Sequence, residues 1–222
     1  WLGDRCRLAY NQIFNELLLN KISSNLIKLQ RRIILDVLCG QSATYNPNDE
    51  PAELLLRSIN PNIHIIYNSP TYPDIPDNWA VCRLEDIVDY EQPNKYIVSS
   101  TNYSDEYKTP VLTAGKTFIL GYTNETENIY DKLPVIIFDD FTTSSKVVDF
   151  KFKVKSSAMK ILTVKQGIEL DYVAAFMQVT RLLGDSHKRM WISEYSKLEI
   201  PIPPIEEQIR IVKKIKALNS VL

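Results

Sequence analysis

The 222-residue chain has no Cys-x-x-Cys pair, no glycine-rich loop and no long apolar run, and each absence removes a class of function. Its six glycines are scattered singly, which excludes a loop that cradles phosphate through successive backbone N–H groups. There is no Asn/Asp-Pro-Pro-Tyr sequence of the kind that positions a base for methylation. Two histidines, His64 and His187, have no cysteine pair near them and cannot complete a standard zinc site. Cys6, Cys39 and Cys82 are odd in number and far apart, so they are expected to be reduced, buried thiols of a cytoplasmic protein. No stretch approaches the ~18 apolar residues of a membrane span, so no contact with a membrane is expected. Trp1-Leu2-Gly3-Asp4-Arg5 lacks the layout of a signal peptide, and the missing initiator Met suits a fragment or a trimmed form.

What is present is an ordinary hydrophobic content of 45% and a net charge of −1, enough for a buried core but not for a uniformly basic protein. The charge is unevenly spread. Residues 85–106 carry Glu85, Asp86, Asp89, Glu91, Asp105 and Glu106 against Lys95 alone. Residues 141–165 carry Lys146, Lys151, Lys153, Lys155, Lys160 and Lys165 against Asp149 alone. A local basic block on a neutral chain points to one face that meets a polyanion.

Apolar residues at Leu18, Ile22, Leu26, Leu29, Ile33 and Val37 recur at helical spacing without Pro or Gly, predicting one helix over 5–38 that stops at Gly40. At ~1.5 Å per residue it would reach about 50 Å, which suits a spacer arm. Asp49 and Pro51 are expected to open a short helix, and the Pro/Asn-rich residues 60–78 read as a linker. Strands are predicted near 117–122, 134–139, 146–155, 158–164 and 197–202, with a helix at 170–183 that Gly184 ends. Pro203-Pro204 bars the last strand, and Glu206 and Glu207 then favour a helix N-terminus through its dipole. Ile209, Val212, Ile215, Leu218 and Leu222 stripe that helix. The division is therefore 1–40 spacer helix, 41–78 short helix and linker, 79–204 globular domain and 205–222 C-terminal helix. The fold class is α+β, a mixed strand-rich domain between two helices that pack as an antiparallel arm. Leu18, Ile22, Leu26, Leu29 and Ile33, with Ile209, Val212 and Ile215, are its expected interface with each other or with a partner.

The 146–155 segment alternates, with Val148, Phe150, Phe152 and Val154 assigned to one face and Asp149, Lys151, Lys153 and Lys155 to the other. Lysines ~6.6 Å apart on a strand approach the spacing of phosphates along a nucleic-acid strand, though a merely solvated face has the same pattern. The polar turn Thr142, Thr143, Ser144, Ser145 and Lys146, and Tyr122, Thr123 and Asn124 after Gly121, suit groove contact as well as ordinary turns. Lys188 and Arg189 form a basic loop beside His187, and Lys116 adds a further cation before the 117–122 strand. A rival reading takes Asp140, Asp149 and Lys151 as the acid-plus-Asp-x-Lys set of a Mg²⁺-dependent nuclease, a low-information pattern with no upstream helical glutamate. A third is an adaptor that binds only protein.

Pro76-Asp77-Asn78-Trp79-Ala80-Val81-Cys82-Arg83-Leu84-Glu85-Asp86-Ile87 resembles the opening of a target recognition domain of type I restriction–modification specificity (S) subunits. Asp49-Glu50-Pro51-Ala52 resembles the segment before it, Gly121-Tyr122-Thr123 and Ile136-Ile137-Phe138-Asp139-Asp140-Phe141-Thr142 its interior. Pro203-Pro204-Ile205-Glu206-Glu207-Gln208-Ile209-Arg210-Ile211-Val212 resembles its exit into the following helix. The resemblance implies two recognition domains held apart by antiparallel helices, each reading half of a split duplex DNA site. It implies a targeting subunit without chemistry of its own, which docks methyltransferase (M) and restriction (R) subunits. S-adenosylmethionine, ATP and Mg²⁺ would belong to those partners. With a single recognition domain, this chain resembles half an S subunit or the second half of a longer one, and a second copy or the missing half is implied as a partner.

Overall fold

A computed structural model describes residues 21, 24–40, 44–113, 117–180, 182 and 189–221. In chain order it contains α1 (24–38), α2 (Ala52–Ile59), β1 (Ala80–Arg83), α3 (Leu84–Ile87), β2 (Val88–Glu91), β3 (Thr109–Leu112), β4 (Ile119–Thr123), β5 (Val135–Asp139), β6 (Ser145–Val148), β7 (Lys153–Val154), β8 (Met159–Val164), α4 (Leu170–Val179), β9 (Glu199–Ile202) and α5 (Ile205–Val221). The class is α+β, as the sequence implies.

The strands form three sheets, ordered β2-β8-β5-β6, β4-β3-β7 and β1-β9. The first is antiparallel throughout and covered on both faces. Ile136 and Phe138 of β5 join a core with α4, Trp191 and Tyr195. Val135 and Ile137 join a second core with Tyr130, Phe152 and Val154. Burial on both faces explains why Val135-Ile136-Ile137-Phe138 is apolar without alternation. In the β1-β9 pair Ala80 faces Ile202, so the strand-rich region opens and closes at one place.

The predicted strand over 146–155 is two strands in different sheets. β6 pairs with β5, whereas β7 runs parallel to β3, and the chain crosses between them at 149–152. Alternation does not survive that crossing. Phe150 becomes exposed, while Lys153 is buried at 3% exposure. α4 ends at Val179, with the Thr180 N–H bonded to Phe176 O, four residues earlier than periodicity implies. β1, β2 and β3 are absent from the sequence reading; each is four residues long and carries little pattern.

α1 and α5 lie antiparallel. Gln30 Nε2 donates to Asn219 Oδ1 near one end, while Thr44 just beyond α1 donates to Glu207 at 2.9 Å near the other. The face of α1 that enters the core is Ile34, Val37 and Leu38 rather than the Leu26–Leu29–Ile33 line; Leu26 and Leu29 are exposed and Ile33 is half-buried. Leu18 and Ile22 lie outside the described residues. In α5 the buried face is Ile211, Val212 and Ile215, and Ile209, expected on that stripe, is 52% exposed. Gly40 ends α1 at φ +81°, where a Cβ would meet Pro76 Cδ at 2.5 Å. Residues 60–78 are not a free linker. Ile63 and Ile65 enter the main core, and Tyr72 donates to Glu199 O at 3.3 Å. Among the described residues no helix is long and apolar enough to cross a membrane.

Candidate nucleic-acid interface

The segment Pro203–Arg210, which carries the strongest sequence pattern, is a clasp. Glu207 is buried and accepts from the Trp79 indole N–H at 2.9 Å as well as from Thr44. Gln208 accepts from the Glu169 N–H and donates to Pro203 O, both at 2.9 Å, which fixes the start of α4 against α5. Arg210 donates to Thr44 O at 3.1 Å and pairs with Asp49. Asp49 is thus spent on α5 and does not cap α2, whose N-cap is Pro51 without a side-chain bond. Glu207 likewise acts through these bonds and not merely through the helix dipole.

The opposite end of the four-stranded sheet gathers cations. The β5–β6 turn, the segment before β8 and the residues after 188 meet there, because Phe138 pairs with Ser145 and Asp139 with Met159. Lys146 is exposed, with Nζ 4.5 Å from the centre of the Phe118 ring. Lys155 is exposed, 5.8 Å from that of Tyr103. Arg189 is exposed and donates to Ser157 Oγ at 3.3 Å. Cations resting on ring faces keep their charge in solvent while their reach is fixed. Thr142 is exposed beside them, and Ser144, Ser156 and Ser157 are half-buried.

Asp139 and Asp140, at this end, are turned inward. Asp139 accepts from the Phe141 N–H at 3.0 Å and from the Thr142 hydroxyl. Asp140 pairs with Lys160 at 3.0 Å and accepts from the Trp191 N–H at 2.8 Å. These two acids therefore add no exposed negative charge beside Lys146, Lys155 and Arg189, an arrangement that suits contact with a polyanion.

Several expected contacts are elsewhere. Asn124 is exposed just beyond β4, whereas Tyr122 is half-buried, its carbonyl accepting from the Ser104 N–H at 3.1 Å next to the Tyr103 ring that supports Lys155. Thr123 is buried, and its hydroxyl accepts from the Glu125 N–H. Lys153 donates to Glu127 O at 2.9 Å and pairs with Glu125 at 2.8 Å, which removes it from any surface. That bond and two backbone donors, Ser99 and Ser100, hold the Glu125 carboxyl below its ordinary range. Lys151 is exposed but 3.8 Å from Asp131, away from the cationic end. Thr143 is buried at φ +54°, a sparse conformation for a β-branched residue, with its hydroxyl on Leu182 O. The Ser145 Oγ is enclosed rather than presented. Lys116 and Lys188 lie outside the described residues. Ser156, Ser157 and the ring supports Phe118 and Tyr103 were not among the sequence candidates. Lys155-Ser156-Ser157 repeats the lysine-plus-hydroxyl composition of 142–146 and could have flagged two of them.

Exposed cations thus gather at one end of the four-stranded sheet, and among the described residues no cluster of His, Cys, Asp and Glu could hold a metal. The fold resembles that of a chain from a structure described as underlying complex assembly and conformational transition of the type I R-M system. The TM-score is 0.55 at 15% identity, covering 92% of this chain and 49% of that one. It also resembles the type I restriction-modification S subunit of M. genitalium, with TM-score 0.51 and 14% identity over 66% of this chain and 41% of that one. Residues 76–221 match the type I restriction modification DNA specificity domain, and the chain belongs to that family. Over 155 residues it is 50% identical to the Escherichia coli type I restriction enzyme EcoR124I/EcoR124II specificity subunit, across 63% of this chain and 38% of the relative. The chain therefore spans less than half the length of that relative.

Proposed function

We propose that the chain is a DNA-reading half of a type I specificity subunit. It binds duplex DNA in the cytoplasm through the Lys146–Lys155–Arg189 end of the sheet and reads one half of a split target. It performs no chemistry, and S-adenosylmethionine, ATP and Mg²⁺ act on the M and R subunits that it docks. The exposed faces of α1 and α5 would meet a second copy, the missing half or an M subunit. The observation that carries this reading is the pairing of the family match with Lys146, Lys155 and Arg189 exposed above the buried Asp139 and Asp140. The nuclease alternative loses its first carboxylate, because both Asp140 oxygens are committed to Lys160 and the Trp191 N–H.

The test is salt-dependent duplex binding. Lys146→Ala, Lys155→Ala and Arg189→Ala together should weaken binding and reduce the slope of log K against log salt by about 0.9 for each phosphate left without its cation. Stability should change by no more than about 0.5 kcal/mol, as for other exposed positions. An unchanged slope would place the DNA elsewhere. Mg²⁺-dependent cutting by the purified chain, abolished by Asp149→Ala, would restore the nuclease.

A further inference from the structure

Beneath the cationic end lies a charge pair that a duplex could not touch. Asp140 and Lys160 are 2% and 1% exposed and 3.0 Å apart. Lys160 Nζ also donates to Gln92 Oε1 at 3.1 Å. The Asp140 carboxylate accepts from the Trp191 N–H at 2.8 Å, its backbone N–H donates to Ala158 O at 3.0 Å and its carbonyl accepts from the Met190 N–H at 2.9 Å. One residue therefore fastens three segments. These are its own turn leading to Lys146, the 155–158 segment that carries Lys155 and Ser157, and the chain that leaves Arg189.

An ion pair is an expensive way to fasten loops. Desolvating two charges commonly offsets their attraction, and a well-packed apolar replacement is often no less stable. Around this pair the sheet offers such surroundings in Phe138, Leu162 and Trp191. What an apolar pair would not supply is direction. The carboxylate meets the Lys160 ammonium on β8 and the Trp191 N–H along fixed lines, and so sets how its own turn stands against β8 and the chain after Arg189, while its backbone N–H ties that turn to Ala158. Phosphate contact by long side chains tolerates small displacements, whereas a hydrogen bond to a base edge does not.

We propose that Asp140 and Lys160 are positioning residues for sequence discrimination: they place the segments bearing Lys146, Lys155 and Arg189 for base reading without touching DNA. The proposal rests on the recognition reading given above. It separates two quantities that a general structural role would move together, namely affinity for any duplex and preference among duplexes.

The full chain is incubated with a randomised duplex library, and bound duplexes are recovered and sequenced. The best and a scrambled duplex are then titrated across salt. The double variant Asp140→Asn with Lys160→Met removes both charges and keeps an acceptor for the Trp191 N–H. We expect its unfolding midpoint, scrambled-duplex affinity and salt slope to match the unmodified chain, while the best-to-scrambled affinity ratio falls about tenfold, the worth of one displaced base contact. Should the double variant fail to fold, Gln92→Ala releases Lys160 from one of its two holders and should lower the same ratio about threefold. An undiminished ratio in a folded variant overturns the proposal. So does a loss of both affinities in step with the midpoint, which assigns the pair a structural role only. If the unmodified chain recovers a library without bias, the recognition reading itself fails and takes this inference with it.

Discussion

At the clasp, Glu207, Gln208 and Arg210 spend their polar groups on Trp79, Thr44, Glu169 and Asp49. At the far end of the sheet, Lys146, Lys155 and Arg189 leave theirs in solvent above the buried acids Asp139 and Asp140. Polar side chains close the molecule at one end and open it at the other. The contrast explains why the clearest sequence pattern falls where no ligand is proposed. A buried hydrogen-bonded set demands particular side chains at particular positions. A phosphate contact demands only charge and reach, and such a surface tolerates substitution.

The largest effect should come from the clasp. Trp79 is buried and joins the main core, so Trp79→Ala should cost about 3–5 kcal/mol by cavity formation. Trp79→Phe keeps much of the volume but leaves a Glu207 oxygen without its donor, and about 1–3 kcal/mol is expected. Urea unfolding measures both. Near-neutral Trp79→Ala would show that the two ends do not differ in the way described.

Lys153 sharpens the contrast, because it belongs to the basic block by sequence and to the interior by structure. Lys153→Met should destabilise by about 2 kcal/mol, between an exposed pair and one fully buried, since Glu125 keeps some solvent. The salt slope for DNA should not move. The pH dependence follows from the depressed Glu125 carboxyl. A lowered folded pKa gives stability that is present above the unfolded value of about 4.3 and is lost as pH falls through the folded one. The unmodified chain should therefore lose this increment in acid, and Lys153→Met should show a flatter decline below about pH 4.3. A reduced salt slope in Lys153→Met would return this lysine to the DNA surface.

Lys153 also shows where the sequence ceases to inform. Alternation from Val148 to Val154 is real, yet it spans a crossing between two sheets, and a period of two does not report a change of partner. β5 and β8 were legible because their apolar runs are long enough to stand out, and the helix near 170 because of its spacing. β1 and β2 were not, since their burial depends on β9 and β8, distant in sequence. Of the candidate contacts, Lys146, Lys155, Ser144 and Arg189 come together, whereas Thr123, Thr143 and Ser145 are enclosed by turns whose inward direction composition does not encode.

The smallest effect on stability and the clearest effect on assembly are expected on α1. Leu29 is 56% exposed, and Leu26 and Ile27 are exposed beside it, while Ile209 is exposed on α5. Adjacent apolar side chains in water favour a covering partner. Leu26→Asp with Leu29→Asp removes nothing from the core, so the unfolding free energy should stay within about 0.5 kcal/mol. Sedimentation should shift the unmodified chain toward a larger species as concentration rises and leave the variant a monomer. Duplex binding per chain should be unchanged in the variant, because the cationic end belongs to the other region. An unmodified chain that remains monomeric at high concentration and fails to join an M subunit would leave that apolar face without a role. Loss of DNA binding in the Asp variant would show instead that the two regions are coupled.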